Sequence, residues 1–125
     1  MHQKFILASS SKSRYKILKN AGLNFTQKKP NCNEEDIKKT INRKTKPEIF
    51  AKKLSYEKAR SVSRQQPYAN KIVLGCDTVI YHNGKILDKV NSIDKAKKKI
   101  KSLSGKEHLI VSGLNICLNG SKIWE

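Results

Sequence analysis

Residues Phe5 to Leu18, FILASSSKSRYKIL, restrict what this chain can fold into more than any other stretch. Phe5, Ile6 and Leu7 read as a buried strand and Ser9 to Ser11 as a turn. Tyr15, Ile17, Leu18 and Ala21 then read as the inward face of a helix closed by Gly22. A strand feeding a hydroxyl-rich turn and a helix start brings unpaired backbone N–H groups, serine hydroxyls and Arg14 to one point. Such a cradle suits an anion, and the anion expected is the phosphate chain of a nucleotide. A plainer account covers the same residues: Ser11 caps the helix and Arg14 is a solvated charge, since no Walker loop is spelled out. On this stretch alone the plainer account prevails.

The chain of 125 residues is long enough for one core and too short for two ordinary domains, so residues 1–125 are expected to form a single domain. Lys+Arg 27 against Asp+Glu 10 gives +17, which favours polyanions as partners: phosphorylated substrates, nucleic acid or anionic surfaces. No apolar run approaches the roughly 20 residues of a spanning helix, and the first apolar segment is shorter than a signal-peptide core. The chain is therefore read as cytoplasmic, with no membrane partner. Cys32, Cys76 and Cys117 show neither zinc nor disulfide spacing and are read as reduced thiols, the last two buried.

Leu23 to Pro30 reads as an edge strand. Asn33-Glu34-Glu35-Asp36 is the one dense acidic cluster in a basic chain. Asn33 capping a short helix through Ile37 and Ile41 explains it more simply than a divalent cation site, although carboxylates are what Mg²⁺ uses beside phosphates. Thr45-Lys46-Pro47-Glu48 reads as a capping box that opens a helix to about Ser63. Phe50, Ala51, Leu54, Ala59 and Val62 form its buried stripe, and Lys52, Lys53, Lys58, Arg60 and Arg64 share its other faces, most of them solvated, where periodicity does not identify one that turns into a cleft.

Ile72 to Ile80 is a nearly continuous apolar run broken by Asp77. A carboxylate in a central strand costs several kcal/mol unless it is partnered, so Asp77 is the most informative single residue. A hydrogen-bonded structural aspartate at a bulge beside Gly75 weighs evenly against a functional acid. Asn83-Gly84 predicts a hairpin whose returning segment delivers Lys89. Ser92 caps a further helix with a stripe of Ile93, Ala96, Ile100 and Leu103 and a block of lysines from Lys95 to Lys101. His108 to Leu118 reads as a strand, and Asn119-Gly120 turns into another that runs to Trp124-Glu125. The expectation is that a sheet edge or cleft wall is missing beyond this point; a short complete protein with a terminal tryptophan is the alternative.

Six segments, in order, resemble the Maf family of septum-formation-inhibitor-like nucleoside triphosphate pyrophosphatases. They are Leu7 to Arg14, Asn33-Glu34, Leu54 to Ala59, Gly75-Cys76-Asp77-Thr78-Val79, Gly84 to Val90, and Leu103-Ser104-Gly105-Lys106-Glu107-His108. The resemblance implies an α/β fold, a mixed twisted sheet with flanking helices of the Maf and inosine-triphosphatase kind, C-terminally truncated. It implies cleavage between the α and β phosphates of a nucleoside triphosphate, giving a monophosphate and pyrophosphate. Asp77 would be the catalytic proton acceptor, and Asp77 with Glu34 would hold a divalent cation, Mg²⁺ or Mn²⁺. Ser9, Ser11, Arg14, Lys58 and Lys89 would grip the phosphates, while Ser13 and Thr78 sit where the family selects its base. The implied partners are the triphosphate and a homodimer.

Lys12 and Ser13 replace the proline and first arginine of the family opening, Asn33 replaces one acidic residue, and the family's later Tyr-x-Ile-Gln segment is absent. Two other readings stand beside this one. A small basic nucleic-acid-binding protein is suggested by +17, against an aromatic content of 6% that leaves few rings for base stacking. An inactive nucleotide-binding fragment is the other.

Overall fold

A computed structural model of the protein describes residues 4–42, 44–87, 90 and 92–125. It is a mixed α/β fold. In chain order its elements are β1 (Phe5–Ala8), α1 (Lys12–Asn20), β2 (Phe25–Lys28), α2 (Glu34–Lys39), α3 (Pro47–Ser63), β3 (Ile72–His82), β4 (Lys85–Ile86), α4 (Ile93–Leu103), β5 (Leu109–Leu118) and β6 (Ser121–Trp124). The sheet runs β2-β1-β3-β5-β6, with β4 paired to β3. β1 is parallel to β2 and β3, whereas β3–β5 and β5–β6 are antiparallel.

The centre of the fold is α3 laid across β3 and β5. Phe50, Ala51, Leu54, Ala59 and Val62 are all buried, as their spacing predicts, against Ile6, Val73, Val79 and Cys117. Each large apolar side chain so buried contributes about 1.5–3 kcal/mol. The helix lies close enough to the sheet that a Cβ at Gly75 would come within 2.8 Å of the Ala59 Cβ, and one at Gly113 within 2.6 Å of the Ala51 carbonyl oxygen. α1 covers the opposite face over β1 and β2, where Tyr15 and Leu18 meet Leu7, Phe25 and Cys76. Both Asn-Gly hairpins form, with Asn83, Gly84, Asn119 and Gly120 at positive φ.

Several local expectations are corrected. Ile17 is 66% exposed and Ala21 is exposed, because a nine-residue helix resting on two short strands half-buries only its Tyr15 and Leu18 edge. The Thr45 capping box does not form: Lys46 is the N-cap of α3 and has no side-chain cap bond. The proline at 47 explains this, since the residue before a proline is driven out of the helical region, which places the boundary at 46. Asp77 sits at no bulge, for β3 and β5 pair residue for residue from Ile72↔Leu118 to Tyr81↔Leu109. The α4 stripe is largely uncovered: Leu103 is buried while Ile93 and Ile100 are exposed. Leu23 is exposed too, and the edge strand begins only at Phe25. Among the described residues no helix is long and apolar enough to cross a membrane.

Candidate active site

The site follows from a difference in strand length. One edge of β3 is covered by β5 throughout. On its other edge β1 pairs only from Val73 to Gly75, and β4 takes over at Tyr81, with the Leu87 amide donating to the Ile80 carbonyl. Cys76 to Val79 are left as a notch in the sheet, about 13 Å long at strand rise. It opens at the carboxyl end of β1, where α/β sheets characteristically receive ligands. Alternation along β3 puts Asp77 on the α3 side of this notch and Thr78 on the other.

On the α3 side Asp77 is 1% exposed. Its Oδ1 accepts from Lys58 Nζ at 3.0 Å, and the same ammonium lies 2.9 Å from Glu34 Oε1 and 3.5 Å from the Cys76 carbonyl oxygen. Of the α3 cations whose orientation periodicity leaves open, Lys58 turns inward: it is 3% exposed, one turn beyond Leu54 on the buried side. Helical periodicity cannot register that a carboxylate waits on the facing strand. Glu34 arrives by a different route. Asn33 caps α2 by accepting from the Glu35 and Asp36 amides, and this sets Glu34 at the start of the helix, within reach of Lys58. Capping and site-building are thus both served by the acidic cluster. Glu34 also lines a hollow of about 530 Å³ with Lys29, Pro30 and Asn31.

On the other side the serine turn is assembled as the sequence suggests. Ser9 is buried and its Oγ accepts from the Ser11 amide, while Ser11 caps α1 by accepting from the Arg14 amide. Arg14 returns to the turn through Nη1, which donates to Ser9 Oγ at 3.4 Å, and reaches β3 through Nη2, which donates to Thr78 Oγ1 at 3.2 Å. Thr78 is hydrogen-bonded in turn to Ser112 on β5, Oγ1 to Oγ 2.9 Å. No motif in the sequence reached Ser112; its one signal is a hydroxyl within the apolar alternation Ile110, Leu114 and Ile116. Burial pushes the Cys76 thiol upward, with Arg14 and Lys58 pulling it down and Asp77 raising it further, so the charges from both sides converge on this residue.

The structure thus brings Ser9, Ser11, Arg14, Lys58, Asp77, Thr78 and Glu34 around one notch. Ser13 lies in the first turn of α1 and is exposed, whereas Lys89 falls outside the described residues. Among the described residues no three histidine, cysteine, aspartate or glutamate side chains cluster as a metal site would require. Two carboxylates nonetheless suit Mg²⁺, which seldom takes an all-protein cage and fills its remaining positions with water or phosphate oxygens. Asp77 Oδ2, buried with no hydrogen-bond partner among the described residues, supplies the donor atom that such an ion would take. Asp77 also lines a cavity of about 20 Å³, room for about one water-sized sphere, whose walls are otherwise Thr78, Lys38 and mainly apolar side chains such as Phe50, Leu54 and Ile86. The residues therefore fit a divalent cation.

The chain is also similar to known proteins. Over 125 residues the chain is 37% identical to a nucleoside triphosphate pyrophosphatase of Pelagibacter ubique (strain HTCC1062), covering 99% of this chain and 63% of the relative. It is 39% identical over 119 residues to a 7-methyl-GTP pyrophosphatase of Bartonella henselae, covering 95% and 59%. It is 35% identical over 111 residues to a dTTP/UTP pyrophosphatase of Thermotoga maritima, covering 89% and 51%. The chain spans between about half and three-fifths of the length of these relatives. The model of the Maf-like protein family matches residues 4–125, and the chain belongs to that family.

Proposed function

We propose that this chain carries the phosphate-binding and proton-accepting side of a nucleoside triphosphate pyrophosphatase that cleaves between the α and β phosphates. The observation that supports it is the notch itself, where a buried aspartate lies next along the strand to a threonine held by the arginine of a serine-lined turn. Phosphoryl chemistry is mostly positioning and charge neutralisation, and the side chains here are of the kinds it needs. Ser9, Ser11, Arg14, Lys58 and Lys89 bind the phosphates. Asp77 accepts the proton of the attacking water as it closes on phosphorus, and pyrophosphate leaves. Asp77 and Glu34 are the ligands for Mg²⁺ or Mn²⁺, which when bound would neutralise phosphate oxygens and favour the ionised water. Ser13 and Thr78 are the residues that select the base. The enzyme acts in the cytoplasm, as a homodimer.

The test is pyrophosphate release by the 125-residue chain, screened over standard and modified triphosphates with and without Mg²⁺ or Mn²⁺. Asp77→Asn is expected to lose at least roughly 100-fold. Equal rates in variant and parent remove Asp77 from the mechanism. One observation favours a second reading: Lys95, Lys97, Lys98 and Lys101 of α4 are all exposed. Salt-sensitive RNA binding with no hydrolysis of any triphosphate would favour a nucleic-acid-binding protein instead.

A further inference from the structure

The pairing of Thr78 with Ser112 is not explained by burial, because both residues are exposed and water could satisfy either hydroxyl. Its position is informative instead. Thr78 and Ser112 are register partners across β3 and β5, two hydroxyls opposite one another on a sheet face where β5 otherwise presents Ile110, Leu114 and Ile116. A threonine hydroxyl has one proton and two lone pairs. One lone pair of Thr78 accepts from Arg14 Nη2, and the contact with Ser112 fixes the hydroxyl from the β5 side. Arg14 is then held at both prongs of its fork, Nη1 by Ser9 and Nη2 by Thr78. The remaining guanidinium N–H groups have no partner among the described residues and can meet an incoming oxyanion in a set orientation.

We propose that Ser112 is a positioning residue of the phosphate site, the far anchor of a string that runs Ser112–Thr78–Arg14–Ser9 across three strands' worth of structure and orients the Arg14 guanidinium. The inference rests on the reading of Arg14 as a phosphate-binding group and adds a residue on β5 to it. Without its β5 anchor Thr78 is free to turn away, and the guanidinium must then be ordered by the ligand at an entropic cost. Threonine at 112 preserves the hydroxyl; alanine does not.

Calorimetric titration of the 125-residue chain with inorganic tripolyphosphate tests this without requiring turnover, with thermal melts to confirm folding. Ser112→Ala is expected to weaken binding by about 3- to 10-fold, the scale of one lost hydrogen bond, and Ser112→Thr to stay within about 2-fold of the parent. Arg14→Ala weakens binding further, and adding Ser112→Ala to it changes the affinity by less than about 2-fold, because the serine acts through the arginine. A silent Ser112→Ala beside a damaging Arg14→Ala overturns the inference and leaves the phosphate reading intact, as does an effect of Ser112→Ala that persists undiminished without Arg14. A silent Arg14→Ala, or no binding by the parent, overturns the phosphate reading and the inference with it.

Discussion

Replacing Lys58 by methionine isolates what holds the buried carboxylate. Methionine keeps the unbranched volume in the helix but removes the ammonium, and with it the donor 3.0 Å from Asp77 Oδ1 and 2.9 Å from Glu34 Oε1. At 3.0 Å and an effective dielectric constant of about 20, the Lys58–Asp77 attraction alone is about 5–6 kcal/mol, before desolvation is charged against it. The net worth of the pair is far smaller, but the cost of stranding one member is not. Asp77 is 1% exposed and its Oδ2 has no hydrogen-bond partner among the described residues, so the variant keeps a buried carboxylate that has lost its paired ammonium. Removing one member of such a pair costs about 3–5 kcal/mol. Asp77→Asn is milder, about 1–2 kcal/mol, because Lys58 keeps Glu34 and the Cys76 carbonyl. The double variant strands no carboxylate at position 77 and should be more stable than Lys58→Met alone, a coupling of at least about 2 kcal/mol. Urea unfolding at pH 7 without divalent cations reads this directly: with a slope of about 2 kcal/mol per molar, the midpoint of Lys58→Met drops by roughly 2 M. A Lys58→Met midpoint close to the parent, or a double variant whose loss is the sum of the singles, refutes the argument that Lys58 compensates a buried charge.

The other predictions concern packing, titration and metal. Gly75→Ala and Gly113→Ala each drive a methyl group into the α3 backbone or Ala59 and should cost about 1–3 kcal/mol, seen as lowered melting temperatures; unchanged melts would mean that α3 stands off the sheet. Burial raises the thiols of Cys32, Cys76 and Cys117 above their ordinary 9.0. The unfolded chain then releases these protons first as pH rises past about 9, and stability falls from there upward. Urea midpoints between pH 8 and 9.5 measure that fall, and substituting Cys76 by alanine should lessen it. Finally, the Lys58 ammonium bridges the two carboxylates nominated for metal. Mn²⁺ titrated without phosphate should therefore bind Lys58→Met more tightly than the parent, by paramagnetic resonance, and equal affinity would place the metal elsewhere.

What the sequence disclosed depended on whether a residue's role was local. The serine turn, the Asn33 cap and both Asn-Gly hairpins are decided by neighbours within four positions, and all form as read. The α3 stripe was legible because a 17-residue helix repeats its apolar face often enough to be unmistakable. Lys58 was not legible from pattern, because its burial depends on a carboxylate 19 residues away on another element. The family resemblance singled it out where periodicity leaves open which cation turns inward. Ser112 lay outside every motif, and only the β3–β5 register reveals its opposition to Thr78. The exposed stripe of α4 shows the reverse failure, since amphipathicity records which face is apolar and carries no record of what covers it.

Adjacent residues in a strand point to opposite faces, so Asp77 and Thr78 would ordinarily belong to different surfaces separated by the sheet. Both border the same notch here because β1 stops at Ala8, opposite Gly75, while β3 runs on for seven residues to His82. Had β1 continued by four residues, its backbone would fill the notch, and Arg14 on one face would be walled off from Lys58 and Asp77 on the other. The turn at Ser9 to Ser11 therefore does two things at once: it supplies hydroxyls and a helix start, and it ends a strand early enough to leave an opening through the sheet. Under the proposed reading, a phosphate chain lying along that bare edge of β3 is reached by Arg14 from one side and by Lys58 from the other. Lengthening β1 at the expense of the turn should abolish tripolyphosphate binding even with every one of these side chains retained.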